Sequence, residues 1–393
     1  MAGATVAPAL PSIAEHFKAH DHADLLVRLV LTIPALFIGL GAPWMGKLLE
    51  RMGRLPVFRF GLLLYALAGS APVWIPALME GPKPVFPSYG WIDGLTLILL
   101  SRALLGVAVA ALMTATTTLA GDYLQGEERN RFLGFQGSFM AFGGVVFISL
   151  GGWLASLSWQ APFGLYVAAI LLLPASWKVL FEPSLTDGAD RTDTPNQQED
   201  IPWARVLTIY LGGFFGMLMF YAIPTQVPFY LEHQLEVPPV WSGLMIASST
   251  LAAASISYHY ARIRRRLRFP LIFTLAFALL SAGYLSIGLA YNAWTVVPAL
   301  MLSGTGAGLT MPNANLWLIS TAPDRARGML MGGMTAAIFM GQFLSPVLMA
   351  PVRKSLSTGQ LFESLSVIIL LASLIYFWFD RKQSRKVAAS GYP

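Results

Sequence analysis

Gly46-Lys47-Leu48-Leu49-Glu50-Arg51-Met52-Gly53-Arg54 is a short charged turn between two long apolar runs, Leu25 to Leu49 and Val57 to Leu78. Runs of that length read as a hairpin of two membrane helices. The charged turn then belongs at the membrane surface, because charge inside hydrocarbon is costly. The composition agrees. The chain has 393 residues, 55% hydrophobic and 12% charged, where a soluble domain carries about 25% charged residues. With no cysteine, disulfides, thiolate metal sites and cysteine nucleophiles are excluded, and the redox compartment stays open.

Outward from the turn, apolar segments fall at 25–49, 57–78, 95–121, 131–155 and 162–181, then at 203–231, 239–261, 269–290, 293–320, 328–351 and 361–379. Met1 to Phe17 (MAGATVAPALPSIAEHF) lacks the basic start and apolar core of a signal peptide. It reads as the outer end of a first membrane helix, predicting about 15–20 further apolar residues encoded upstream. The expected fold is all-α and polytopic, with eleven full membrane helices plus a truncated first. Residues 1–181 form one six-helix half, 182–202 a polar linker, 203–380 a second six-helix half and 381–393 a basic tail.

Lys and Arg set the orientation. Alternate turns and the tail collect 20 of the 26 basic residues, while Lys18, Arg28, Lys83, Arg353 and Lys354 fall on the opposite loops and Arg102 inside a helix. The crowded side is cytoplasmic by the positive-inside rule, which places both termini of the complete protein there. The net charge of +6 is accounted for by this topology, so no nucleic-acid partner is expected. The halves also echo each other. Arg54-Leu55-Pro56 recurs as Arg268-Phe269-Pro270, and Glu128-Arg129-Asn130-Arg131 as Asp324-Arg325-Ala326-Arg327. The two offsets differ by the length of an extra outer loop near 78–94, as expected of duplicated halves.

The spacing Gly-x3-acidic-Arg-x-Gly-Arg at Gly46, Glu50, Arg51, Gly53 and Arg54 resembles the loop between the second and third helices of major facilitator superfamily transporters. Within that superfamily the chain is similar to bacterial 12-helix drug:proton antiporters. The resemblance implies two six-helix halves that alternate access to a central site, with the Gly46–Arg54 turn and the Glu128/Arg129/Arg131 and Asp324/Arg325/Arg327 turns as a cytoplasmic gating motif. Glu50 stands where the family has Asp. Arg102-x3-Gly106 matches the fourth-helix pattern, with Leu105 in place of Gln, and implies a role for Arg102 in substrate or proton coupling. Gly134, Gly143, Gly151 and Gly152 match the fifth-helix motif, but Phe147-Ile148 replaces its Gly-Pro, which leaves obligate antiport open.

Other polar residues in apolar runs are candidates for the substrate site. Tyr221 and Gln226, with Pro224 and Pro228, suggest a flexible outer gate in the seventh helix. Asn313 and Asn315, with Gly304, Gly306, Gly308 and Pro312, suggest a broken or closely packed tenth helix. Gln136 and Gln342 hold similar places in the fifth and eleventh helices. Intramembrane amides also serve as interhelical glue, the alternative for each of these residues taken singly. No carboxylate falls mid-segment, leaving Asp24 or the missing start of helix 1 as candidates for proton coupling. Glu15-His16-x3-His20-Asp21-His22-x-Asp24 is the one metal-like cluster, against a hydrated loop as the plain reading.

The expected function is secondary transport by a multi-pass protein of the inner or plasma membrane, exporting small amphipathic organic compounds, with protons as a candidate coupling ion. Sugar, siderophore or metal-chelate export is the alternative, and a non-transporting receptor or assembly factor the alternative of another class. No enzyme motif is present: only His259 of the five histidines falls in an apolar segment, and Gly-x-Ser-x-Gly, Walker and His-Glu-x2-His patterns are missing. The partners expected are a small-molecule substrate and the lipid bilayer, in a monomer without cofactor or bound metal.

Overall fold

The computed structural model describes residues 3–80, 93–183, 201–323 and 325–389, with the side chains of Pro43, residues 77–80, Asn130, Leu133, Gly134, Ala141 and residues 383–389 left out. The outer insertion, most of the linker and Asp324 therefore lie outside the described residues. All regular structure among the described residues is helical. A 3-10 segment, Ala4–Ala9, leads into α1 (Leu10–His16). Then come α2 (Ala23–Met52), α3 (Arg54–Glu80), α4 (Gly94–Tyr123) and α5 (Gly126–Ala155). A 3-10 stretch, Ala161–Leu171, runs into α6 (Leu172–Val179). The second half holds α7 (Trp203–Phe220), α8 (Ala222–Leu235), α9 (Pro239–Arg264), α10 (Phe269–Gly288), α11 (Ala293–Thr321), α12 (Arg327–Arg353) and α13 (Thr358–Ala389).

Ten segments among the described residues are long and apolar enough to cross a membrane. The 30 residues of α2 reach about 45 Å, well beyond the ~30 Å of hydrocarbon, so its charged last turn stands clear of the apolar core. The bundle has two ends: the turn end, with the Gly46–Arg54 loop, and the far end, where α2 begins. At the far end, Asp93 caps α4 by accepting from the Thr96 N–H at 2.6 Å, and Asn292 caps α11 by accepting from the Thr295 N–H at 3.0 Å. These are the fourth helices of the two halves, and an N-cap oxygen satisfies one of a helix's stranded donors. The Asp93-x2-Thr96 and Asn292-x2-Thr295 pair is a third internal echo.

The halves meet where α2 packs on α12 and α5 on α9, the second helix of each half against the fifth of the other. Several sequence expectations are corrected. The apolar run 203–231 is not one helix: it is interrupted at Tyr221, which ends α7 and begins α8. Of the two readings offered for the glycine-rich tenth helix, the closely packed one holds and the broken one does not: the helix is continuous, and a Cβ would lie 2.0 Å from the Ser249 carbonyl oxygen at Gly304 and 2.3 Å from that of Ala253 at Gly308. Arg28 is not a loop residue but lies inside α2, 3% exposed. His16 and His233 also fall in helices. Finally, α13 continues through Asp380 and Arg381 to Ala389, so the basic tail begins as helix.

α8 joins the halves. Every residue from Ala222 to Leu231 is buried, the pattern of a helix enclosed on all sides. Tyr221 and Phe229 pack with first-half residues including Val6, Leu10 and Val27, whereas Ile223, Val227 and Leu231 pack into the second-half core.

Candidate functional site

At the far end, Arg28 donates from Nε to the Thr225 carbonyl at 3.1 Å and to Gln226 Oε1 at 3.2 Å, crossing from one half to the other. Its Nη1 bonds both the backbone carbonyl and the carboxylate of Asp24, and its guanidinium lies 3.8 Å from the Phe229 ring centroid. Asp24 also receives Arg353 of α12 on both oxygens, Nη1 at 2.8 Å and a short pairing with Nη2. One carboxylate thus holds a guanidinium from each half, a charge-assisted arrangement stronger than a neutral hydrogen bond. Below it, the Tyr221 hydroxyl is bonded to the buried Gln342 side chain. Tyr221, Gln226 and Gln342, all of the second half, therefore gather around α8.

The remaining candidates go elsewhere. Asn313 joins second-half helices, accepting from the Tyr260 hydroxyl at 3.1 Å and donating to the Phe269 carbonyl at 3.0 Å. Gln136 and Asn315 are half-buried on α5 and α11. Arg102, 1% exposed, stays within its own half. Its Nη2 donates to the Ala68 and Gly69 carbonyls at 2.5 and 2.6 Å, and its guanidinium lies 5.0 Å from the centroid of Phe163 and 5.3 Å from that of Tyr166. The reason lies in α3. Pro72 has no N–H to give to the carbonyl four residues back, and that carbonyl belongs to Ala68. Pro312 strands the Gly308 carbonyl in the same way, and the Ser257 hydroxyl donates to it at 2.6 Å. Side chains from neighbouring helices re-satisfy proline-freed backbone, as a membrane interior requires.

At the turn end, Gly53 adopts φ +90, the conformation that favours glycine, and its N–H bonds the Leu49 carbonyl to close α2. Arg54 Nε meets Asp122 of α4 at 3.1 Å. Glu182 supplies the partner that sequence reasoning missed. Its carboxylate accepts from the Arg54 and Leu55 N–H groups at 2.5 and 2.8 Å, capping α3, where the helix dipole favours an anion. Glu182 therefore belongs to the first half rather than to the linker. An acid directly after the last apolar run was the available signal. Glu50, Arg51, Glu128, Arg129, Arg131, Arg325 and Arg327 are exposed, and a Cβ at Gly46 would have open space.

The histidine-rich outer stretch is dispersed. Glu15 pairs with Lys18 at 2.5 Å, His20 with Asp93 at 2.9 Å, and His16 packs on Trp159. Among the described residues no three His, Cys, Asp or Glu side chains are grouped to hold a metal ion.

The packing between halves is graded along the bundle. At the far end, a Cβ at Gly152 of α5 would lie 2.9 Å from the Gly243 Cα and 2.8 Å from the Pro239 carbonyl oxygen, both on α9. Toward the turn end, a Cβ at Gly137 of α5, or at Gly328 or Gly332 of α12, meets nothing within 4 Å.

A model of the Major Facilitator Superfamily matches residues 1–346. The class B tetracycline resistance protein of Escherichia coli is 23% identical over 360 residues, covering 88% of this chain and 84% of that protein. The class C protein of the same organism is 26% identical over 365 residues, covering 88% and 85%. The multidrug resistance protein MdtG of Enterobacter lignolyticus is 26% identical over 194 residues, covering 48% of this chain and 46% of that protein. Among solved structures, the inward open conformation of the xylose transporter XylE from E. coli superposes with a TM-score of 0.75 at 13% identity, covering 96% of this chain and 92% of that one.

Proposed function

The chain belongs to the major facilitator superfamily, and from that premise we propose that it exports small amphipathic organic compounds across the cell membrane by alternating access. It is a multi-pass membrane transporter, and members of this family carry solutes rather than transform them. Export is supported by the tetracycline and multidrug resistance relatives, because a transporter confers resistance by removing the compound. The orientation read from Lys and Arg puts the turn end in the cytoplasm and the far end outside.

The observation that carries alternating access is the graded contact between halves. They touch backbone to backbone at the far end, at Gly152 and Gly243, while toward the turn end a Cβ at Gly137, Gly328 or Gly332 meets nothing within 4 Å. We read this as an inward-facing arrangement. Tyr221, Gln226 and Gln342 lie just beneath the outer closure and are the substrate contacts of choice, with Gln136 and Asn315 on the helices flanking the opening. Arg102, with its bonds inside the first half, serves transport by positioning α3 and the sixth helix. Glu50 and Arg51 engage the second half only when the turn end closes, with the Arg129/Arg131 and Arg325/Arg327 turns closing beside them.

Accumulation of tetracyclines, lipophilic cations, sugars and divalent metals, measured in cells with and without the protein, tests the reading. Lower steady-state accumulation of at least one amphipathic compound is expected. No concentration difference for any amphipathic compound overturns the export assignment.

A further inference from the structure

A recess of about 450 Å³ opens at the far end between the halves, within the size range of small-molecule sites. α1, α2, α8, α12 and the start of α13 all contribute to it. Its walls carry three fixed cations, Arg28, Arg353 and Lys354, against two carboxylates, Asp24 and Glu15. Glu15 is already paired with Lys18 at 2.5 Å. Asp24 is shared between Arg28 and Arg353, so it neutralises one of those cations, not both. The Lys354 ammonium has no hydrogen bond or ion pair with the described residues, and Arg28 spends Nε and Nη1 but not Nη2. The recess thus keeps unspent donors and a net positive charge. Arg28, 3% exposed in total, lies in the wall of this recess.

We propose that this recess is a binding site for organic anions, whose carboxylate takes Lys354, Arg353 and the free edge of Arg28. The proposal rests on the reading that the far end faces outside. It adds to the exporter assignment a ligand class for the outer mouth: anionic compounds are held there on leaving, or enter there from the medium. The chemistry is that of guanidinium and ammonium groups recognising carboxylate. Asp24 competes with the ligand for the same arginines. Its neutralisation by Asp24→Asn should therefore strengthen anion binding, even as it weakens the contact between the halves.

The absence of native cysteine permits a direct test. Gln234, an exposed residue on the wall of the recess, is changed by Gln234→Cys. Intact cells, and the purified chain in lipid nanodiscs, are then labelled with a membrane-impermeant maleimide. Benzoate is the probe, with benzylamine and benzyl alcohol as cationic and neutral counterparts. Benzoate at millimolar concentration should slow labelling at least threefold, while the other two leave it unchanged. Lys354→Gln should raise the half-protecting concentration several-fold, Asp24→Asn should lower it, and added salt should weaken protection because exposed charges are screened. Equal protection by benzylamine, no protection by benzoate, or protection indifferent to Lys354→Gln overturns the proposal. Labelling only after the cells are permeabilised overturns the orientation as well. Loss of flux in the accumulation assay bears on the export reading alone, because the labelling needs no transport.

Discussion

Arg102 is the residue whose chemistry the sequence exposed and whose surroundings only the structure supplies. A buried arginine in a membrane helix reads as a functional group by default. Here its Nη2 bonds the carbonyl that Pro72 leaves without an N–H partner. Those two explanations separate in a double-mutant cycle. Arg102→Met should destabilise the protein and depress transport, and Pro72→Ala should recover part of both by restoring the missing backbone donor. A coupling of about 1–2 kcal/mol is expected in thermal unfolding; identical losses in the two backgrounds would return Arg102 to direct contact with substrate. Glu182 offers a parallel case. It caps α3 through the Arg54 and Leu55 N–H groups, and removing a capping side chain costs about 0.5–2 kcal/mol. Glu182→Ala should lower the melting temperature accordingly, whereas Glu50→Gln, at an exposed side chain, should leave it nearly unchanged and slow cycling instead. Unchanged transport in Glu50→Gln would reduce that acid to a topology signal.

Among the elements, the helices between halves carry their own prediction. Gly152 is pressed against Gly243 of α9, and Gly332 on α12 faces open space. Gly152→Val should therefore destabilise the resting form, by the ~1–3 kcal/mol typical of overpacking. Gly332→Val should leave stability intact yet block closure of the turn end, seen as binding without transport; unimpaired transport by Gly332→Val would mean that this face never packs. Element boundaries were largely legible in the sequence because apolar length and charged turns report directly on the bilayer: the predicted 57–78 and 239–261 sit inside α3 and α9. What hydropathy could not show was the interruption at Tyr221, since an unbroken apolar run looks the same whether its helix is whole or divided. Arg28 was misplaced for a related reason. A charge near a predicted boundary is assigned to the loop, and its partners Thr225 and Gln226 lie about 200 positions away. The site was legible only as a set of polar types. Nothing in the sequence distinguishes Asn313, tied to Tyr260 and Phe269, from Gln226, tied to Arg28.

For the whole molecule, transport requires the far end to part as the turn end closes, so fixing the far end should abolish turnover. Thiols introduced by Asp24→Cys and Arg353→Cys, joined by a cleavable bifunctional reagent, should stop export, and cleavage of the linker should restore it. Export that continues with the two halves tied there would refute the rocking scheme. α8 adds a consequence for how the protein is made. Its residue Phe229, and Tyr221 just before it starts, complete the packing of the first half, although they are encoded after the linker. At roughly 5–20 residues per second of synthesis, the first half waits several seconds after its own sixth helix before that wedge reaches it. During the wait, its α8-binding surface, around Val6, Leu10 and Val27, has no partner from its own chain. Birth of this transporter is thus not two domains folding in turn, but one half held unfinished until the other has begun.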